Sequence, residues 1–208
     1  MKYKAIAILA GVALAGFGGW AAYEMAGSDG SSRETAAAGS TGALTPARLG
    51  QLAKGEMAGF QAASTPTEIA QDVKLQGPDG PVTLSALKGQ VLLVNLWAEW
   101  CAPCIEEMPT LDRLQARLGG EDFRVLPISL DTAPIEKAQA TLEQFGGTHM
   151  RTLADPDMAL MAELGVTGLP STLLIDRKGR ELGRLIGPAE WDSPAAERLV
   201  RAAIAAEG

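Results

Sequence analysis

Trp97-Ala98-Glu99-Trp100-Cys101-Ala102-Pro103-Cys104 is the stretch from which the rest of the chain can be read. It overlaps the end of Val91-Leu92-Leu93-Val94-Asn95-Leu96-Trp97, a nearly unbroken apolar run that suits a central strand covered on both faces. It precedes Ile105, Met108, Leu111, Leu114 and Leu118, apolar positions at helical spacing, with Pro109 predicted to kink the helix they mark. The two cysteines therefore fall where a strand hands over to a helix. At i and i+3 of a helix start they can meet the short Cα separation that a disulfide needs. Unsatisfied N–H groups and the positive end of the helix dipole favour a thiolate on Cys101, and Pro103 suits a first helical turn. Such a thiolate attacks a disulfide, and Cys104, one turn along, resolves the mixed disulfide. The competing readings of the pair are half of a zinc site or a structural bridge. Zinc would need a second ligand pair, and His149 is the only histidine. A bridge closing so short a loop adds little stability through chain entropy.

Outward from this stretch the pattern alternates. Phe123 to Leu130 reads as a second buried strand. Ile135, Ala138, Leu142 and Phe145 mark a helix that ends at Gly146-Gly147. Asp155-Pro156 reads as the cap of a short helix running through Leu164. Ser171–Ile175 and Leu182–Ile186 flank the turn Asp176-Arg177-Lys178-Gly179, a hairpin signal. Ser193-Pro194 starts a last helix with Ala196, Leu199, Val200, Ala203 and Ile204 on one face. On the N-terminal side, Val73, Leu75, Val82 and Leu84 fit short strands broken by Gly77-Pro78-Asp79-Gly80. The order predicts an α/β domain over residues 61–208, with a mixed central sheet and helices on both faces.

Further upstream, Ala5 to Ala22 is 18 residues without a charge, about 27 Å as a helix and enough to reach across a bilayer core. Lys2 and Lys4 precede it and Glu24 and Asp29 follow, so the positive-inside rule places the remaining chain across the membrane. The reading is an N-terminal membrane anchor over 1–24 in a bacterial inner membrane, with the domain in the periplasm. A cleaved signal peptide is the rival, but Trp20-Ala21-Ala22 puts a bulky residue where a small one is wanted. Residues 25–60 read as a flexible linker with a short helix near 46–58. Fifteen of the 20 residues from Met25 to Leu44 are Gly, Ala, Ser or Thr, too few apolar groups to order themselves. Thr45-Pro46 supplies the cap and first turn of the helix. Over all 208 residues the net charge is −7, which argues against nucleic acid binding. Two cysteines exclude a disulfide scaffold.

W-A-E-W-C-A-P-C, with Pro109 five residues after Cys104, resembles the thioredoxin superfamily. Gly168-Leu169-Pro170-Ser171-Thr172 resembles the cis-proline loop of that family. The resemblance implies a thioredoxin-like fold, Pro170 against the disulfide, and a loop backbone at Gly168 and Leu169 that accepts a substrate strand by edge pairing. Asn95 stands where ordinary thioredoxins carry a buried acid. Glu107 stands where membrane-tethered periplasmic reductases often carry one. About 40 residues separate Leu130 from Pro170, room for the extra helical segment of the TlpA, ResA and cytochrome c maturation thioredoxins. The stretch from Gly168 to Pro194 looks specifically like TlpA. Glu99 departs from the usual TlpA pattern, and the second cysteine pair of some TlpA proteins is absent.

Site residues follow from both lines. Cys101 is the expected nucleophile and Cys104 the resolving thiol. Pro103, Trp100, Pro170 and Glu107 are expected to support them, and Gly168 and Leu169 to hold substrate. Glu107 is open to two readings: a proton relay beside Cys104, or a solvated acid in the first turns of the helix. Glu106 and Glu99 read as solvated, Asn95 and Trp191 as structural, His149 as a plain surface residue. Met108, Met158 and Met161 read as core rather than copper ligands. The expected activity is that of a membrane-anchored periplasmic thiol:disulfide oxidoreductase, working as a reductant and using no cofactor beyond the Cys101–Cys104 disulfide. The resemblance implies electrons from a membrane thiol transporter. It implies disulfide-bearing exported partners such as a copper chaperone and the copper subunit of cytochrome oxidase. The alternatives are a cytochrome c maturation thioredoxin and, in a different class, a copper-binding module built on the cysteine pair.

Overall fold

The computed structural model describes residues 44–206. The predicted anchor over 1–24 and all but the end of the Gly- and Ser-rich segment lie outside them. Among the described residues no helix is long and apolar enough to cross a membrane.

Strand β4 (Val91–Trp97) is buried at every position. Its side chains alternate between two apolar layers, as the period of a strand requires. Val91, Leu93 and Trp97 enter one layer with Met108, Leu111 and Leu114 of α2 (Ala102–Leu118), Leu199, Val200 and Ala203 of α5 (Pro194–Ala205), and Leu49 of α1 (Pro46–Leu52). Leu92, Val94 and Leu96 enter the other layer with Leu160 of α4 (Ala159–Glu163) and with Leu164 just beyond it. Each fully buried leucine here contributes about 1.5–3 kcal/mol through area removed from water. Helices thus cover both faces of the sheet.

The sheet has eight strands in the order Gln61–Glu68, Arg180–Ile186, Ser171–Ile175, β4, Phe123–Ser129, Leu153–Ala154, Leu75–Gly77 and Gly80–Val82. β5 (Phe123–Ser129) lies parallel to β4 over its full length, from Val91 opposite Phe123 to Trp97 opposite Ser129. β6 (Leu153–Ala154) continues the parallel part, reached from β5 through α3 (Ile135–Gln144). β7 (Ser171–Ile175) runs antiparallel on the other side of β4 and forms the expected hairpin with β8 (Arg180–Ile186). β2 (Leu75–Gly77) and β3 (Gly80–Val82) form the short hairpin read around residues 77–80. This is the mixed α/β architecture that the sequence pattern and the resemblance imply.

Four details differ from the sequence reading. β1 (Gln61–Glu68) was not anticipated, because QAASTPTE carries no alternating apolar set and contains Pro66. It forms an edge strand on β8, where a proline is tolerated. Leu84 lies in a 3₁₀ turn, Leu84–Leu87, rather than in a strand. The helix expected from Asp155-Pro156 begins only at Ala159. Asp155 still caps it from a distance, its carboxylate accepting from the amides of Ala159, Leu160 and Met161 at 2.9, 2.9 and 3.3 Å. Packing also begins upstream of Gln61: Thr45 caps α1, and Leu49, Met57 and Phe60 are buried in the first layer. The helix read near 46–58 is α1 followed by a 3₁₀ turn, Gly55–Met57.

Candidate active site

The C-terminal end of β4 delivers the chain into Ala98-Glu99-Trp100 and then into α2. Cys101 is the N-cap of that helix in an extended conformation, and Pro103 sits in its first turn. α2 continues unbroken through Pro109. The amides of Cys104 and Ile105 donate to the Cys101 carbonyl at 3.0 and 3.2 Å, closing the first turn. Cys101 and Cys104 form a disulfide across a Cα separation of 5.3 Å. Cys104 is fully buried, whereas Cys101 keeps 6% of its surface exposed. Of the two sulfurs, the one at the helix N-terminus is the one a partner can approach.

The Leu169–Pro170 bond is cis. Gly168 and Leu169 line a cavity of about 540 Å³ together with Trp100, Cys101, Met158 and Met161. Ser171 Oγ donates to the Gly168 carbonyl at 2.7 Å, and Gly187 donates to the Pro170 carbonyl at 2.9 Å. These bonds tie the proline loop to the β7–β8 side of the sheet. The exposed large hydrophobic residues among the described ones are Trp100 at 66%, Ile186 at 50% and Met158 at 42%. Trp100 and Met158 border the cavity, and Ile186 is paired in register with Ser171 beside it. An apolar rim around a reactive sulfur is a surface made to be covered. Met158 corrects the sequence reading: it adopts a left-handed conformation, φ +54°, and stands at the mouth rather than in the core.

Behind the disulfide lies a polar nest. Glu107, one turn after Cys104 on α2, is only 2% exposed, so the reading of it as a solvated acid is overturned. Its Oε1 accepts from Asn95 Nδ2 at 2.8 Å. Its Oε2 accepts from the Ala189 amide and from the Trp191 indole N–H, both at 3.1 Å. Burial pushes the carboxyl pKa up to about 7, and the three hydrogen bonds oppose that rise only in part. Asn95, fully buried on β4, also donates to Thr172 Oγ1 of β7 at 2.9 Å. Asn95 and Trp191, read as structural, are partners of the acid. Nothing in the sequence marked Ala189 as a partner of Glu107 or Thr172 as a partner of Asn95. Beneath the site Trp97 is fully buried, its indole N–H 3.3 Å from Thr152 Oγ1.

The remaining candidates separate from this cluster. Glu106 is exposed, and Glu99 forms a 3.5 Å surface ion pair with Lys137. His149 is at the surface as expected, and in addition its amide and Nδ1 lie 2.6 and 2.7 Å from the carboxylate of buried Asp112. Among the described residues no group of three or more His, Cys, Asp or Glu side chains could hold a metal ion.

Comparison with known proteins follows the same lines. The Redoxin family model matches residues 63–200. The chain is 35% identical over 117 residues to the thiol:disulfide interchange protein HelX of Rhodobacter capsulatus, covering 56% of this chain and 64% of that one. It is also 35% identical over 117 residues to the thiol:disulfide interchange protein DsbE of Allochromatium vinosum, covering 56% and 62%. The chain thus spans less than two thirds of the length of these curated relatives. Among solved structures it resembles one from Chlorobium tepidum described as a thiol:disulfide interchange protein DsbE. That match has a TM-score of 0.59 and 32% identity, covering 67% of this chain and 98% of that one.

Proposed function

The chain belongs to the Redoxin family, and from that premise we propose that it is a thiol:disulfide oxidoreductase that reduces disulfides of exported proteins. The observation that carries this reading is the Cys101–Cys104 disulfide at the start of α2, sharing one apolar cavity with the residues of the cis-proline loop.

In the reduced protein the Cys101 thiolate, favoured by the helix N-terminus, attacks one sulfur of a substrate disulfide. That disulfide breaks, its other sulfur leaves as a thiolate and takes a proton, and a mixed disulfide with Cys101 forms. Glu107 then accepts the proton of the Cys104 thiol. The Cys104 thiolate attacks Cys101 Sγ, and the second substrate sulfur leaves with a proton. Two electrons have passed to the substrate and the Cys101–Cys104 disulfide is restored. A second dithiol must reduce it before the next turn. A carboxyl with a pKa of about 7 suits this shuttle, since both of its forms are populated at neutral pH. Pro170 holds the loop against the disulfide. Gly168 and Leu169 offer backbone to an extended substrate segment, and Trp100 covers an apolar side chain beside the substrate cysteine.

The uncharged segment Ala5–Ala22 behind Lys2 and Lys4 supports attachment to the bacterial inner membrane with the domain in the periplasm. Ala102-Pro103 between the cysteines and the TlpA-like stretch from Gly168 to Pro194 support the reducing direction. They also support a membrane thiol transporter as electron source, with a copper chaperone and the copper subunit of cytochrome oxidase as targets. The test is trapping in the full-length protein. Cys104→Ser is expected to accumulate mixed disulfides through Cys101 with a disulfide-bearing protein, and Cys101→Ser to accumulate none and lose turnover. Equal trapping by both variants, or by neither, would overturn the assignment.

A further inference from the structure

The two oxygens of Glu107 are held by different kinds of group. Oε2 accepts from a backbone amide and an indole N–H, those of Ala189 and Trp191. Both can only donate. Oε1 has a single partner, the side-chain amide of Asn95 at 2.8 Å, and that amide can donate through Nδ2 or accept through Oδ1. A proton arriving on the carboxyl is therefore kept off Oε2, where two hydrogens already point, and settles on Oε1. There it would face the Asn95 N–H, also a donor.

Asn95 Oδ1 is buried and has no hydrogen-bond partner, while Nδ2 meets both Glu107 Oε1 and Thr172 Oγ1. Turning the amide over exchanges Nδ2 and Oδ1. The separations of 2.8 and 2.9 Å then suit O–H···O bonds from the Glu107 carboxyl and the Thr172 hydroxyl. Either orientation leaves one amide atom unpartnered, Oδ1 in one and Nδ2 in the other, and the state of the carboxyl shifts the balance between them. We propose that Asn95 is a positioning residue whose side-chain amide reverses with the proton on Glu107, donating to the carboxylate and accepting from the carboxylic acid. Both forms of Glu107 then keep a matched partner in a pocket closed to water.

The titratable groups near Glu107 are few. Cys101 and Cys104 precede it on α2, together with exposed Glu106. The 187–192 segment carries exposed Glu190 and part-buried Asp192, the latter paired with Arg113 of α2. β4 and β7, which supply Asn95 and Thr172, carry none. The inference rests on reading Glu107 as the group that exchanges a proton near neutral pH, and its test separates the two.

Asn95 is the only asparagine of the chain, so labelling full-length protein with ¹⁵N-asparagine and ¹³C-glutamate gives one side-chain amide to follow by NMR. Between about pH 5 and about pH 9, either side of the Glu107 titration, the amide signals are expected to move with the midpoint of the Glu107 carboxyl carbon. A coupling from Asn95 Nδ2 across the hydrogen bond to that carbon is expected at the alkaline end and lost at the acid end. Stationary amide signals, or a coupling that survives protonation of Glu107, would overturn the role of Asn95 and leave the acid–base reading standing. A Glu107 carboxyl that does not titrate in this range would overturn both.

Discussion

Glu107 and Asp112 lie five residues apart on α2, and both carboxylates are buried, with 2% and 6% of the residue exposed. Their surroundings differ in one decisive respect. Asp112 is gripped by one residue of a distant loop: His149 Nδ1 lies 2.7 Å from Oδ2, and the His149 amide donates to Oδ1 at 2.6 Å. Glu107 faces only neutral donors from Asn95, Ala189 and Trp191. Asp112 thereby fastens the loop after α3 to the middle of α2. Glu107, among neutral donors, loses more to burial than it regains, and its carboxyl pKa rises to about 7. One helix thus buries the same chemical group in two ways, pinned to a neighbouring loop at Asp112 and ringed by neutral donors at Glu107, one turn after Cys104.

The largest effect that would sharpen this contrast belongs to Glu107→Gln. Loss of the proton acceptor is expected to slow resolution of the mixed disulfide about 100-fold at pH 7, and to remove the inflection near neutrality from the pH–rate profile. Stability should respond in the opposite sense. The folded pKa of about 7 lies above the unfolded value of about 4.3, so the native state binds this proton more tightly. The wild-type contribution is full below about pH 4 and is lost as pH rises through about 7, roughly 4 kcal/mol in all. Denaturant titrations of the oxidised protein at several pH values should show that decline in the wild type and a flatter profile in Glu107→Gln. A parallel decline in both would remove Glu107 from the account.

Asp112→Ala comes next. It strands the His149 amide and should lower stability by about 1–3 kcal/mol while leaving the pH–rate profile of disulfide exchange in place. A profile altered as in Glu107→Gln would erase the contrast between the two carboxylates. The smallest effect is expected for Trp191→Phe, which removes one donor from Glu107 and keeps most of the ring volume. The carboxyl pKa should rise, moving the inflection to higher pH and slowing exchange at pH 7 only about two- to threefold. An inflection moving to lower pH would contradict the assigned direction of that hydrogen bond.

The features legible in the sequence are those whose causes are local. A strand buried on both faces announces itself as seven consecutive mostly apolar residues, and Cys101, Pro103 and Cys104 carry their chemistry within one turn. The cis-proline loop was reached through resemblance, since a sequence by itself favours trans. The features missed are tertiary. The donors to Glu107 come from 12, 82 and 84 residues away, and no periodicity links them. β1 is held as a strand by β8 and not by its own residues, and Asp155 caps α4 across a left-handed Met158 that no propensity predicts. The pairing of surface-exposed His149 was missed for the same reason: its partner Asp112 is 37 residues earlier.

The most direct test of the account is the equilibrium reduction potential of the Cys101–Cys104 pair. It can be measured on the full-length protein in a glutathione or dithiothreitol buffer series and followed by fluorescence of Trp97 and Trp100, which flank the site. A value near or below roughly −200 mV is the predicted result and places the protein among reductants. A value above about −150 mV would make it a donor of disulfides and would contradict the reducing role proposed here.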